Sequence, residues 1–487
     1  MMKDAALVID IGTGSSRIAI VSLDKEIVAL KAFVNSYYID KQYDDAKFFL
    51  PNEFKEKIFS IIKELISETD YHIKFITSSA ARESIVLVDE DGNDYYGLPN
   101  IDNRGKKWIS TIPNREYIEK YTGRPLTEDF GALKLYGLKE RPELYSKLAK
   151  ITSLSDWIGY LLTGNIEMEF SQACETQLFN IYKKEWDQSI CESFGILHDI
   201  LPKVVSAGTI YSINPQVQKE MMLDDDCVYV VGGADTQLAA KGMDLSEDDI
   251  GLISGTSSPV VKYKDSIPDY EENEDFNFWC GCNLSGNGYQ IETNPGVTGL
   301  NFQLAKDIFL PDSSYQEIDD YIVNHYNDLK CLASFTTQSP YKNVAFPNGG
   351  FYMNVPFNQS LKREDFIHAV VVDIAFAITF KIRQNEVLSQ TNSPYIVGSG
   401  GGLRLSSLCQ LIADMTGKKL VLKDNFNEAS VIGGALICFE TNQKYEKQEL
   451  SVIEEFFPNR NEYLRKRLEE WILHREKDNS KKEIGEF

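Results

Sequence analysis

The sequence predicts an α/β protein with two domains, and three observations support this fold class. Strand-like apolar runs alternate with helical patterns along the chain, as in α/β proteins. A glycine- and hydroxyl-rich turn joins two strand-like runs at residues 5–23, and a similar unit recurs at residues 251–263, which indicates two related halves. The 487 residues, 43% of them hydrophobic, are enough for two to four domains with substantial cores.

These features lead to a division of the chain into three parts. We predict an N-terminal domain over residues 1–245, because the second hairpin unit begins soon afterwards. A C-terminal domain is predicted over residues 246–450 and a charged helical tail over residues 451–487.

The first half contains three elements that bear on function. Residues 5–23 are typical of a β-hairpin. A helical pattern begins near Ser155, which is a candidate cap for its first turn, and ends at Gly164. The apolar residues 228–231 indicate a strand that leads through two glycines to Asp235, which is followed by a small-residue helix.

The second half repeats this alternation. Residues 251–263 predict a second hairpin, and a strand at residues 395–397 leads through a triple glycine into a helix that ends at Gly417. Residues 428–437 predict a helix of small residues that can pack close to another backbone. The tail is predicted to form an amphipathic helix, in which the apolar residues at helical spacing are Leu464, Leu468, Trp471 and Ile472.

Composition excludes several classes of partner. The formal net charge of −23 argues against binding to nucleic acid or to anionic membranes, because either would need a basic surface. The N-terminus lacks a signal pattern, and the best apolar run, residues 369–380, is too short to span a membrane. Eight dispersed cysteines and five dispersed histidines lack metal-site spacing, so we expect reduced thiols and no zinc centre. We therefore expect a soluble, cytoplasmic protein that acts on a small molecule.

The turn of the first hairpin is a candidate phosphate loop. Its glycines allow backbone N–H groups to approach phosphate oxygens, and its hydroxyl side chains add donors. The candidate phosphate-binding residues are Gly12, Thr13, Gly14, Ser15 and Ser16. Asp10, at the strand end, would need Mg²⁺ or its waters between its carboxylate and a phosphate. An ordinary hairpin turn is the alternative, and Arg17 stands where a dinucleotide-binding motif would need glycine.

Three further candidate sites lie at or just after glycines. Asp235 comes after a strand and two glycines, where a carboxylate could take a proton from a substrate hydroxyl; the alternative is an N-cap of the following helix. A second candidate phosphate loop consists of Gly255, Thr256 and Ser257. A bare backbone against which a flat ring could lie is formed by Gly400, Gly401 and Gly402.

The order of these motifs resembles that of the FGGY carbohydrate kinases, and the resemblance extends over residues 8–438. It implies a two-domain actin-like, sugar-kinase fold of the ribonuclease H-like type, with the ligands in an interdomain cleft. It also implies transfer of the γ-phosphate of ATP to a sugar or polyol hydroxyl, with ATP and Mg²⁺ as cofactors. By this resemblance Asp10 would be linked to magnesium, Asp235 would be the catalytic base, residues 255–257 would hold phosphates and residues 400–402 would flank adenine.

Within the family, the substrate segment most resembles that of autoinducer-2 kinase, which acts on a quorum-sensing signal. Arg82 and Glu83 form the R-E pair of glycerol kinases and of that kinase, where xylulokinases have M-H-G; such a pair can clamp vicinal hydroxyls. The segments N-I-D-N-R-G from Asn100 and G-G-A-D-T-Q-L resemble the same kinase. The substrate-binding residues that the resemblance implies are Arg82, Glu83, Asn100, Asp102, Asp235 and Gln237. Turn chemistry just outside the pocket is the alternative for Asn100 and Asp102.

The favoured acceptor is therefore an autoinducer-2-like dihydroxypentanedione. Glycerol or a ketose such as xylulose is the alternative, and a further one is a non-catalytic sugar- or nucleotide-binding regulator on the same fold. Leu405 departs from the serine or asparagine that the family usually places near adenine, which leaves only packing there. The helical segment from Gly131 lacks the family's usual proline and tryptophan. A homodimer is the one assembly that we consider.

Overall fold

The chain forms two compact units. The structure, a computed structural model, describes residues 3–270, 273, 277–337, 348–356, 359–442, 445 and 449–480, with side chains up to residue 475. The first unit comprises Met1–Gly242, Cys280–Gln290 and Ala429–Glu449, and the second comprises Met243–Trp279, Ile291–Glu428 and Leu450–Phe487. The predicted boundary at residue 245 lies close to residue 242, where the chain first leaves the first unit. The prediction does not include the two later segments, Cys280–Gln290 and Ala429–Glu449, that also belong to the first unit.

Strands and helices alternate up to residue 242. The strands are β1 (Asp4–Ile11), β2 (Ser15–Ser22), β3 (Ile27–Val34), β4 (Tyr38–Ile39), β5 (Lys47–Phe48), β6 (His72–Ala80), β7 (Ile85–Val88), β8 (Asp94–Leu98), β9 (Lys150–Ser153), β10 (Glu167–Glu169), β11 (Phe179–Asn180), β12 (Glu185–Trp186), β13 (Lys203–Val205), β14 (Ile210–Ser212) and β15 (Val228–Ala234). The helices are α1 (Pro51–Glu68), α2 (Arg115–Thr122), α3 (Gly131–Leu138), α4 (Pro142–Tyr145), α5 (Leu154–Thr163), α6 (Phe170–Cys174), α7 (Gln188–Phe194), α8 (Pro215–Glu220) and α9 (Asp235–Gly242), with short 3-10 turns at Lys106–Thr111 and His198–Ile200.

The alternation continues beyond residue 242. The strands are β16 (Ile250–Ile253), β17 (Val260–Lys264), β18 (Phe278–Cys282), β19 (Tyr289–Thr293), β20 (Leu332–Ser334), β21 (Gly350–Tyr352), β22 (Tyr395–Ser399), β23 (Lys419–Lys423) and β24 (Val452–Phe456). The helices are α10 (Gly299–Phe309), α11 (Tyr315–Asn324), α12 (Arg363–Ser389), α13 (Ser406–Thr416), α14 (Ala429–Glu440) and α15 (Glu462–Ser480), with 3-10 turns at Gly401–Arg404 and Phe426–Glu428.

A six-stranded sheet with the order β14-β15-β6-β1-β2-β3 forms the centre of the first unit. β1 pairs antiparallel with β2, which confirms the predicted hairpin. It also pairs parallel with β6, which in turn pairs parallel with β15. Side chains of α1 and α5, such as Ile62 and Trp157, cover one face of this sheet, and Ile432 of α14 belongs to the core on the other face. β1 is therefore continuously apolar from Ala5 to Ile9, as expected for a strand that is buried on both faces.

Helices α9 and α14 pack with their backbones almost in contact. A Cβ atom on Gly433 would lie 1.8 Å from the carbonyl oxygen of Leu238, and one on Gly242 would lie 1.8 Å from that of Ala429. Only glycine fits at such a crossing, so the prediction of a small-residue helix that packs close to another backbone is confirmed. The contact fixes α9, which begins at Asp235.

Helix α5 differs in one detail from the sequence-based expectation. Its N-cap is Ser153, whose Oγ accepts a hydrogen bond from the backbone N–H of Asp156, and not Ser155. Ser155 lies inside the first turn, where its Oγ accepts a hydrogen bond from Nε2 of Gln172. Gly164 ends the helix in the left-handed conformation, as predicted.

The second unit has its own sheet, in which β17, β16, β22, β23 and β24 lie side by side. β16 and β17 pair antiparallel, which confirms the second predicted hairpin, and β16, β22 and β23 are parallel. The 27-residue helix α12 is buried along most of its length and contains the apolar run at residues 369–380. α13 ends at Gly417, as predicted.

The segment expected to be a tail contributes to this second core. β24 pairs antiparallel with β23. Leu464, Leu468 and Trp471 of α15 are buried in the core of the unit, and Nε1 of Trp471 donates a hydrogen bond of 2.8 Å to Oδ1 of Asp373 on α12. Residues 481–487, the rest of the predicted tail, lie outside the described residues.

Two expectations from composition can be compared with the structure. All eight cysteines are buried and free of disulfide bonds. Over the described ranges, no helix combines the length and the apolar character needed to cross a membrane.

Candidate active site

Three predicted site residues lie at one edge of the first sheet. Asp10 is near the end of β1, Arg82 follows the end of β6, and Asp235 follows the end of β15. Because these three neighbouring strands are parallel, their carboxyl ends meet at the same edge. β15 and β1, which lie on either side of β6, are separated by two strand spacings, roughly 10 Å. The sheet topology therefore brings Asp10, Arg82 and Asp235 together from distant parts of the sequence.

The turn between β1 and β2 is held by two residues that sequence reasoning did not identify, Asn35 and Tyr37. Asn35 Nδ2 donates to the carbonyl oxygen of Gly12 at 2.7 Å, and its backbone N–H donates to that of Gly14 at 3.1 Å. The Tyr37 hydroxyl donates to the carbonyl oxygen of Thr13 at 2.8 Å. The turn carbonyls are thus engaged, and the turn can offer backbone N–H groups to an anion.

The two serines after the turn have different environments. Ser15 is exposed, whereas Ser16 is fully buried and its Oγ donates to Oδ1 of Asn35 at 2.6 Å. Ser16 therefore supports the turn through Asn35, and a direct phosphate contact by its hydroxyl is not favoured by this geometry. Ser15 and the partly exposed Thr13 keep accessible positions beside the turn.

Asp10 has one carboxylate oxygen that suits a cation. Its Oδ2 accepts hydrogen bonds from Nη2 of Arg17 at 2.6 Å and from Oγ of Ser430 at 2.9 Å. Its Oδ1 has no hydrogen-bond partner within the described part of the chain and cannot be hydrated from bulk solvent, because the side chain is only 1% exposed. An orphaned carboxylate oxygen fits Mg²⁺ or one of its waters. The described residues contain no group of three or more His, Cys, Asp or Glu that could hold a metal, so phosphate and water oxygens would complete the coordination.

Asp235 has the properties of a general base. Its Oδ1 accepts hydrogen bonds from the backbone N–H and the hydroxyl of Thr236, at 2.7 and 3.3 Å. Burial raises the pKa of Asp235 to about 6, the positive charge of Arg82 opposes this rise, and the negative charge of Asp10 adds to it. Such a carboxylate is ionised at neutral pH and can still take a hydroxyl proton as the transition state forms. Because Asp235 is itself the first residue of α9, these bonds are not those of an N-cap to the second or third helical residue.

The Arg82–Glu83 pair lies in a tightly held loop. Arg82 Nε is 3.9 Å from Oε1 of Glu83, and both side chains are 10% exposed. Glu83 has a left-handed backbone (φ 63°), and its carbonyl oxygen accepts a hydrogen bond of 2.8 Å from Nζ of the buried Lys134. Burial raises the pKa of Glu83 to about 8, against the effect of Arg82. At neutral pH, Glu83 can thus donate as well as accept hydrogen bonds, which suits hydroxyl recognition.

The other three predicted substrate residues have diverse contacts. Asn100 donates from Nδ2 to Oγ1 of Thr13 at 2.8 Å, which joins the substrate segment to the phosphate turn, and its Oδ1 is buried without a partner. Asp102 is fully buried, and its two oxygens accept bonds from the backbone N–H of Lys47 and from Nε of Arg104. This favours the alternative of turn chemistry for Asp102. Gln237 is 2% exposed, and its Oε1 lacks a partner.

Sequence reasoning also did not identify a buried ion pair, Arg124 and Glu175, that lies next to Arg82. Arg124 donates from Nη2 and Nε to the two carboxylate oxygens of Glu175, at 2.6 and 3.1 Å. Glu175 Oε1 is in turn 3.9 Å from Nη1 of Arg82. No local motif signals this pair, because Arg124 and Glu175 are 51 residues apart and meet only in the folded chain.

The second unit contains a cavity of about 340 Å³, a volume suited to a small organic ligand. The predicted residues that line it are Gly255, Thr256, Gly401, Gly402 and Leu405. Ser257 and Gly400 are not among the lining residues. Gly400 has a left-handed backbone (φ 96°), and a Cβ there would lie 2.3 Å from the carbonyl oxygen of Ser254, so glycine is required for backbone geometry.

Most of the cavity wall was not predicted. It is formed by Ser254, Gly299, Leu300, Phe302, Gln303, Tyr315, Val371, Ile374 and Leu408. The Tyr315 hydroxyl donates to Oε1 of Gln303 at 2.8 Å, and the Tyr315 ring lies 5.6 Å from that of Phe302. A signal was available for Tyr315, since Ser314 and Glu317 form a capping box that marks the start of α11. The apolar walls and the glycine backbone suit a flat base.

Comparisons with known proteins agree with this geometry. The family described as "FGGY family of carbohydrate kinases, N-terminal domain" matches residues 5–242. A Bacillus subtilis protein named "Putative sugar kinase YoaC" is 37% identical over 450 residues, which cover 92% of each chain. A Staphylococcus epidermidis xylulose kinase is 26% identical over 94% of this chain and 93% of its own. An autoinducer-2 kinase of Salmonella choleraesuis is 22% identical over 71% of this chain and 68% of its own.

Solved structures share the fold. Plasmodium falciparum glycerol kinase with ADP has a TM-score of 0.85 at 18% identity, with 98% of both chains covered. A ligand-bound xylulose kinase from Lactobacillus acidophilus has a TM-score of 0.83 at 19% identity, with 99% of both chains covered. These likenesses confirm the predicted fold class, the actin-like, ribonuclease H-like fold of sugar kinases.

Proposed function

Because this chain belongs to the FGGY family of carbohydrate kinases, it is a phosphotransferase with a hydroxyl acceptor, and we propose that it transfers the γ-phosphate of ATP to a small sugar, polyol or sugar-like signal. The observation that carries this proposal is the convergence of Asp10, Arg82 and Asp235 at the carboxyl ends of three parallel strands. Asp10 has a carboxylate oxygen suited to a cation, and Asp235 has a pKa suited to a general base.

We assign the proton transfer to Asp235. Its carboxylate accepts the proton of the acceptor hydroxyl while the hydroxyl oxygen bonds to the γ-phosphorus and the bond to the β-phosphate oxygen breaks, which releases ADP. The backbone N–H groups of the β1–β2 turn offset charge on the phosphate oxygens. Asp10 Oδ1 would hold Mg²⁺ or its water, and this ion would supply charge neutralisation between the nucleotide phosphates.

Each unit is assigned nucleotide contacts of its own. In the first unit, the turn with its hydroxyls Thr13 and Ser15 would contact phosphate oxygens. In the second unit, the cavity with Thr256, Gly401 and Leu405 would hold the nucleoside, the base against its apolar wall. Leu405 is 3% exposed and can contribute packing to adenine.

The acceptor is assigned to the surface formed by Arg82, Glu83 and Asp235. Arg82 donates to, and Glu83 exchanges hydrogen bonds with, neighbouring hydroxyls, while Asp235 faces the hydroxyl that reacts. The R-E pair favours dihydroxypentanedione-like acceptors or glycerol. Xylulose is the alternative, since xylulose kinases are among the relatives of this chain.

A coupled assay of ADP release tests the proposal. The chain is incubated with ATP and Mg²⁺ and with glycerol, D-xylulose, other pentuloses, deoxy-hexuloses or dihydroxypentanedione, and the product is identified by mass spectrometry. We expect one acceptor to stimulate ADP release and to gain one phosphate. Stimulation by dihydroxypentanedione alone would support the signal-kinase assignment, and stimulation by xylulose alone would replace it. ADP release at the acceptor-free rate with every compound would contradict kinase activity and favour a binding regulator.

A further inference from the structure

The buried pair of Arg124 and Glu175 has no part in the proposed phosphoryl transfer. Their side chains are 2% and 1% exposed, so neither can contact a solute directly. Two parallel hydrogen bonds join them, and Nη1 of Arg124 also donates to the carbonyl oxygen of Cys280 at 2.9 Å. A bidentate guanidinium–carboxylate pair allows little rotation of either group. The position of the Glu175 carboxylate is therefore fixed by Arg124.

The fixed carboxylate acts on Arg82. Glu175 Oε1 lies 3.9 Å from Nη1 of Arg82, and Glu83 Oε1 lies 3.9 Å from its Nε. Asp235 is a third carboxylate that the charge of Arg82 influences. Arg82 is thus oriented by carboxylates from different parts of the chain. Glu175, which follows α6, is itself held in place by the two hydrogen bonds from Arg124.

We propose that Arg124 and Glu175 are positioning residues that hold Arg82 toward the hydroxyls of the acceptor. This inference rests on the proposed kinase function and adds two residues to the same site. It makes Glu175 a determinant of acceptor binding, although Glu175 does not touch the acceptor.

The variant Glu175→Gln tests the proposal in the full chain. It keeps the shape of the side chain and removes the charge that faces Arg82. We expect the KM for the neutral acceptor to rise about tenfold or more while kcat changes less than about threefold and the KM for ATP stays constant, because positioning affects acceptor binding.

Two further variants separate positioning from loss of stability. Glu175→Gln leaves Arg124 buried without its partner, so Arg124→Met combined with Glu175→Met removes both charges and is expected to show the same rise in acceptor KM. Asp187→Asn is the control, since Asp187 is also a buried carboxylate of the first unit but binds Asn180 and the N-terminus of α7. It should lower stability without a change in the acceptor KM.

The outcomes distinguish this inference from the proposed function. An unchanged acceptor KM in both Glu175 variants would overturn the inference while kinase activity stands. If no acceptor gives turnover, the proposed function fails, and a crystal structure of Glu175→Gln decides on positioning. We expect the Arg82 guanidinium to move by about 1 Å or more in that structure; an unmoved Arg82 would overturn the inference.

Discussion

Replacement of Gly433 by alanine should separate α14 from α9 and so displace the catalytic base. The two helices cross with a Gly433 Cβ position only 1.8 Å from the carbonyl oxygen of Leu238. Leu238 lies one turn after Asp235 on α9, so a shift of the backbone at Leu238 moves the carboxylate as well. The obstacle is a backbone atom, which cannot rotate away as a flexible side chain would.

The size of the effect follows from this distance. The backbones must separate by roughly 1.6 Å to restore an ordinary contact of 3.4 Å. Overpacking of this kind costs about 1–3 kcal/mol of the free energy of unfolding. For a unit of this size, each kcal/mol lowers Tm by about 2–4 °C. A displacement of about 1 Å at a reacting group reduces kcat by about 100-fold.

Thermal unfolding and acceptor-dependent ADP release measure the two effects. Gly434→Ala is the matched control, because a Cβ there would meet the side-chain atom Cγ1 of Val8 at 2.9 Å rather than a backbone atom. We expect a smaller loss of both Tm and kcat in the control. Wild-type Tm and kcat in Gly433→Ala would refute the role assigned to this helix crossing.

Three other predictions concern pH and the C-terminal segment. The kcat/KM of the wild type should fall as pH decreases through about 6, because protonated Asp235 cannot accept the hydroxyl proton; a flat profile between pH 5 and 7 would contradict this. Burial lowers the pKa of His368 from 6.5 to about 4, so the unfolded chain binds the proton first and stability should fall by about 3 kcal/mol as pH decreases from 6.5 through 4. Thermal unfolding of His368→Leu across this range should lack that component, and an unchanged pH dependence would contradict it. Trp471→Ala should destabilise the chain by about 3–5 kcal/mol in a denaturant titration, whereas a loss below about 1 kcal/mol would mean that α15 is not part of the core.

Features with local signals could be predicted from the sequence. Both hairpins, the strand before Asp235 and the end of α5 at Gly164 follow from glycine positions and apolar runs, and the structure has them. The glycines of α14 likewise indicated a close helix contact. For the hairpins, the strand and the helix end, the interactions that determine the conformation lie within a few residues of chain, whereas the small residues of α14 indicate a close contact without identifying its partner, α9.

Features that depend on distant residues could not be predicted. Ser430 binds Asp10 across 420 residues of sequence, and Arg124 reaches Glu175 across 51. Asp102 is buried and paired with Arg104, which its motif does not reveal. The C-terminal segment was predicted to form an amphipathic helix, and α15 has Leu464, Leu468 and Trp471 in the core of the second unit; the sequence did not indicate which core this apolar face would join. These outcomes are set by tertiary packing, which overrides local composition.

The variant Asp235→Asn tests the central claim most directly. Asparagine keeps the size of the side chain and removes the oxygen charge that would accept the proton. With the acceptor identified by the screen, kcat should fall by about 10³-fold or more, while the Kd for ATP, measured by isothermal titration calorimetry, stays within about threefold of wild type. A variant that retains the wild-type kcat would contradict the assignment of Asp235 as the catalytic base.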